Sequence, residues 1–107
     1  MWRAQHAKLF LSIHFNGFNG MARGVEAFVR PAAEGNINIA EDREFATRVQ
    51  QAVLQAIRNP DTETKDRGVK EMKLGVLADP SLRNTAGSHP CRACLLEIEF
   101  MSRQWIN

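Results

Sequence analysis

Leu9-Phe10-Leu11-Ser12-Ile13-His14 is a nearly continuous apolar run that ends on a histidine, and Asn16-Gly17-Phe18-Asn19-Gly20 follows as a turn-rich loop. A short apolar run closed by Gly and Asn reads as a buried strand, and its end delivers His14. Working outward, Gly24-Val25-Glu26-Ala27-Phe28-Val29 puts Val25, Ala27 and Val29 on one face and Glu26 and Phe28 on the other, which predicts a second strand. Pro31 and Gly35-Asn36 break the chain, and Asn38 is placed to cap a helix whose first turn carries Glu41 and Asp42.

Phe45, Val49, Ala52, Val53, Ala56 and Ile57 recur at spacings of three and four, the pattern of an amphipathic helix, and Asn59-Pro60-Asp61 stops it. The polar segment from Asp61 to Lys73 shows no apolar period. Leu74-Gly75-Val76-Leu77 is predicted as a short strand closed by Asp79-Pro80-Ser81, and Cys94-Leu95-Leu96-Glu97-Ile98-Glu99-Phe100 as a further buried strand. The order strand, strand, long helix, short strand, loop, strand predicts an α/β layered domain. One full helix covers only one face of such a sheet.

The chain has 107 residues, enough for one domain or part of one, and its 44% apolar and 24% charged residues are those of a globular protein. A net charge of +2 gives no reason to expect a nucleic-acid partner. No stretch approaches the roughly 20 apolar residues of a membrane-spanning helix, so no membrane insertion is expected. Leu9-Phe10-Leu11 is too short for a signal-peptide core, and no targeting signal is read in this chain.

Two residues stand out chemically. His14 lies at a strand end, where α/β proteins place their sites, although a histidine there also serves structure alone. Glu97 lies within a run of Leu, Ile and Phe, where an ionised carboxylate is costly unless it is paired or bound to a cation. The two-residue period puts Glu97 and Glu99 on one face. That face is either the solvated side of an edge strand or the wall of a cleft holding a general base or a metal-associated carboxylate.

His89-Pro90-Cys91-Arg92-Ala93-Cys94 offers thiolates two residues apart, yet it lacks the second cysteine pair of a zinc ribbon and the His-x-Glu of zinc deaminases. Cys91 and Cys94 are read as ordinary thiols. Lys65, Arg67, Lys70 and Lys73 are interleaved with Asp66 and Glu71, and a solvated loop is the reading there. No phosphate-binding Gly-rich loop, His-Glu-x-x-His or Gly-x-Ser-x-Gly occurs.

Taken in order, Leu9 to Asn16, Gly24-Val25-Glu26, Asp66-Arg67-Gly68-Val69-Lys70 and Leu95 to Ser102 resemble the zinc-dependent N-acetylmuramoyl-L-alanine amidases, with their Ser-Ile-His-x-Asn strand end and Glu-Ile-x-Phe strand. The resemblance covers nearly the whole chain and implies a single partial amidase catalytic domain over residues 1–107. The implied fold is a mixed, mostly parallel sheet flanked by helices, phosphorylase/hydrolase-like and incomplete at both ends. It implies that His14 is a zinc ligand, that Glu97 is the catalytic carboxylate and that Asn16 binds substrate. Family members carry two further zinc ligands upstream of the histidine strand, and neither is present in this chain.

The function so implied is zinc-dependent hydrolysis of the amide between N-acetylmuramic acid and L-alanine in peptidoglycan, as in an autolysin. The alternative is a non-catalytic remnant that binds cell-wall glycopeptide or a protein partner. A cell-envelope, periplasmic or secreted location follows from the resemblance. Self-association through an uncovered sheet edge is a further expectation.

Overall fold

The structure, a computed structural model, describes residues 9–16, 24–58, 64–78 and 91–99. Its strands are β1 (Leu9–Asn16), β2 (Gly24–Val29), β3 (Lys65–Glu71) and β4 (Arg92–Glu99), and its one described α-helix is α1 (Ile39–Arg58). They form a mixed sheet in the order β1-β4-β2-β3. β1 runs parallel to β4, β2 runs parallel to β3, and the central β2–β4 pair is antiparallel. The α/β class, the mixed sheet and the long helix agree with the sequence reading.

Two apolar layers hold the sheet. On one face Val25, Ala27 and Val29 of β2 and Cys94, Leu96 and Ile98 of β4 pack against Ala46 and Leu54 of α1, with Phe45, Val49, Val53 and Ile57 at the margin. On the other face Phe28, Ala93 and Leu95 pack with Cys91, Leu77 and Phe10. The alternation of β2 and β4 thus supplies both layers, successive side chains pointing to opposite faces of the sheet.

Three sequence readings are corrected here. The predicted strand Leu74–Leu77 is instead a 3-10 turn, Gly75–Leu77, that lays Leu77 on the second layer. The strand lies earlier, within the polar segment: β3 is an edge strand whose exposed Lys65, Asp66, Arg67, Lys70 and Glu71 hide any apolar period. Such a charged edge also discourages pairing with other chains. Third, the fully buried stripe of α1 is Asp42, Ala46, Gln50 and Leu54, whereas Ala52 and Ala56 are exposed.

That stripe admits two polar residues because each is hydrogen-bonded to groups outside the helix, although the Gln50 Oε1 is buried without a partner among the described residues. Gln50 Nε2 donates to Val25 O at 2.6 Å and to Asp66 Oδ1 at 2.9 Å. Asp42 accepts from Asn36 Nδ2 at 2.8 Å and from the Ala93 amide at 3.0 Å, tying α1 to the start of β4. Burial still pushes the Asp42 carboxyl above its ordinary value, since these donors only partly offset desolvation.

Two glycines fix the β2–β3 ladder. Gly68 has φ +84° at the register shift between Val25 and Ala27, a conformation that L side chains rarely adopt. Its amide donates to Asp66 Oδ1 at 2.9 Å. At Gly24 a Cβ would lie 2.7 Å from Lys65 O and 2.9 Å from the Arg67 side chain. Gly24→Ala is therefore expected to force the strands apart and lower stability by about 1–3 kcal/mol, read from urea unfolding; an unchanged midpoint would contradict this close packing.

Candidate functional site

β1 and β4 run parallel and finish side by side, and this brings the two residues singled out from sequence together. His14 and Glu97 are ladder partners, as are Asn16 and Glu99 one step further along the same face. Neighbouring strands stand about 4.8 Å apart, so partner side chains on one face are in reach of each other. Asn16 closes β1; its side chain, like that of Glu99, lies outside the described residues. β4 is an inner strand with β1 on one side and β2 on the other, which overturns the edge-strand reading of Glu97.

The face carrying these residues is the one opposite α1. His14 is exposed, Glu97 is half-buried, and His14 Nε2 shares a 3.1 Å hydrogen bond with Ser12 Oγ, its same-face neighbour two residues back. Across the antiparallel ladder, Glu97 is the partner of Glu26, which the alternation of β2 places only on the face opposite Val25 and Ala27. Glu26 in turn accepts a hydrogen bond from Lys70 Nζ of β3. Below this polar row the face becomes apolar at Phe10, Leu95 and Phe28. The arrangement sets a carboxylate beside an imidazole at the upper end of an apolar floor, two groups of the kind that exchange protons with water and orient polar ligands.

The cysteines do not contribute. Cys94 lies wholly buried under α1 and Cys91 lies buried in the opposite layer, so the two thiols face away from each other across the sheet. Desolvation pushes the Cys94 thiol up to about 12 and also raises Cys91, with the Asp42 charge adding to both. Burial thus disfavours the thiolate form at both positions. His89 lies outside the described residues.

No group of three or more His, Cys, Asp or Glu among the described residues is arranged to hold a metal ion. A catalytic zinc ion takes three protein ligands and an open position, and His14 with Glu97 falls short of that set. The described residues thus do not make up a zinc site. A recess of about 860 Å³ lined by Gln51, Leu54, Gln55, Ala56, Arg58 and Asp66 opens beside the end of α1. It shares no residue with the His14–Glu97 row. Asp66 in this recess is held below the usual carboxylate range, first by the Gln50 hydrogen bond and then by the Gly68 amide.

With this geometry in hand, the comparisons with known proteins agree with the sequence motifs. The chain matches the N-acetylmuramoyl-L-alanine amidase family over residues 1–105, and it belongs to that family. It is also 37% identical over 76 residues to an uncharacterized cell wall amidase of Bacillus anthracis. That match takes in 69% of this chain and 13% of the Bacillus protein, so the chain spans a small part of its relative. No solved structure matches the chain. Among the described residues no helix is long and apolar enough to cross a membrane.

Proposed function

We propose that this chain carries part of a peptidoglycan amidase site that hydrolyses the amide between N-acetylmuramic acid and L-alanine. The observation that supports this most is the ladder pairing of His14 with Glu97 at the ends of two parallel strands. In this reading Glu97 takes a proton from the attacking water and hands it to the leaving amine of alanine, the two proton transfers that amide cleavage requires. Asn16, one residue pair further along, orients the substrate. The peptidoglycan substrate sets the place of action at the cell envelope or outside the cell.

Zinc belongs to this proposal only through His14, which supplies one donor. The described residues do not complete a zinc ligand set. One imidazole beside a carboxylate holds zinc weakly, so zinc retained by the chain after dialysis is expected to be well below one per chain. His14→Ala should remove what remains. Elemental analysis showing one zinc per chain in the His14→Ala variant would contradict the role given to His14. The same incomplete donor set favours a second reading, a non-catalytic remnant that binds cell-wall glycopeptide through this face.

Self-association is part of the proposal, with a second copy of the chain as the occupant of the β1 edge. Leu9, Leu11 and Ile13 are 56%, 39% and 51% exposed on the face that α1 covers elsewhere. β1 contains no Lys, Arg, Asp or Glu, whereas the other edge, β3, is densely charged. An antiparallel pairing of two such edges sets Leu11 opposite Ile13 and brings no like charges together. Size-exclusion chromatography is expected to show a species larger than a monomer that Ile13→Lys converts to monomer; a monomeric unmodified chain would exclude it.

A further inference from the structure

Each of the four sequence blocks sends one polar residue to the same row. His14 comes from the first, Glu26 from the second, Lys70 from the third and Glu97 from the fourth. His14 partners Glu97 and Glu97 partners Glu26 along the ladders, and Lys70, whose own ladder partner is Phe28, joins this row by donating from Nζ to Glu26 Oε2. Two carboxylates directly opposite each other in an antiparallel ladder repel. Glu26 cannot relieve this by turning into water, because its side chain is only 12% exposed, whereas that of Lys70 is 52% exposed and reaches in from the edge.

We propose that Lys70 is a positioning residue of the site: by holding Glu26 as a neutral ion pair, it leaves Glu97 as the carboxylate of the row that is free to meet water and substrate. The inference rests on the role of Glu97 proposed above. An ion pair that served only the β2–β3 ladder would involve Lys70 and Glu26 and be indifferent to Glu97. The proposal requires the opposite, since removing the ammonium restores repulsion that either Glu26 or Glu97 can relieve.

The test is a double-mutant cycle read by urea unfolding of the full chain. Lys70→Met is expected to lower the midpoint, and Glu97→Gln to raise it again in that background while moving it little in the unmodified chain. Lys70→Arg should preserve the midpoint, because it keeps the charge. If Lys70→Met does not fold alone, the cycle is built from Glu26→Gln, in whose background Lys70→Met should be tolerated. Equal shifts from Glu97→Gln in both backgrounds would overturn the proposal.

Peptide release from peptidoglycan, measured alongside, separates this idea from the function it rests on. Coupling without release in the unmodified chain would sink the proposed hydrolysis and leave the charge arrangement supported. Release without coupling would sink the positioning role and leave the hydrolysis supported.

Discussion

Glu97→Gln is expected to lower the release of stem peptide from peptidoglycan by about 10²–10⁴-fold, the usual contribution of a positioned general base. Glutamine has nearly the shape of glutamate and keeps the backbone hydrogen bonds of β4 to both neighbouring strands. What it loses is the ability to accept a proton. Because the substitution also removes one of two facing carboxylates, the folded chain should not suffer from it. Unfolding curves that match while turnover falls would locate the loss in chemistry. A variant that keeps near-normal release would show that Glu97 is not the base.

The second large effect concerns the core. Leu96 is wholly buried on β4, with ladder partners Ile13 and Ala27, and lies in the layer that α1 covers. Leu96→Ala would leave a cavity under Leu54 and Ala46, costing about 2–5 kcal/mol. Single domains have only about 5–15 kcal/mol in all, so the variant should be largely unfolded under mild denaturant. Leu96→Met, which keeps the volume, should cost less than about 1.5 kcal/mol. Urea unfolding of the pair checks this. A loss below about 1 kcal/mol for the alanine variant would mean that β4 is not the centre of the packed layer.

These two residues are adjacent in sequence and face opposite sides of one strand, and both were legible before any coordinates. A charge inside an apolar run marks a residue whose burial must be compensated, and an apolar residue beside it marks the core. β2 and α1 were legible for the same reason, since their apolar residues recur at the period of their element. β3 was not, because an edge strand bounded by water needs only Val69 on the packed side. The buried face of α1 departs from its apolar period because Asp42 and the Gln50 amide nitrogen are hydrogen-bonded to Asn36, Ala93, Val25 and Asp66, and such partners are invisible along the chain.

The site divides in the same way. His14 and Glu97 each carry a local signal, a histidine at a strand end and an acid among aliphatics. Glu26 and Lys70 carry none, because an alternating strand and a charged edge both place such residues routinely at the surface. Only the pairing of β4 with β2, and the hydrogen bond from Lys70 to Glu26, show that they continue the row begun by His14 and Glu97. A candidate residue is thus readable where it conflicts with its neighbours, and unreadable where it depends on which strands lie together.

The most direct test of this account is to incubate the purified chain with peptidoglycan and added zinc and to count newly exposed alanine α-amino groups. The account predicts their release by the unmodified chain, and a near-complete loss of release in Glu97→Gln. Binding to peptidoglycan with no new alanine amines would contradict it, and would favour a chain that binds the cell wall without hydrolysis.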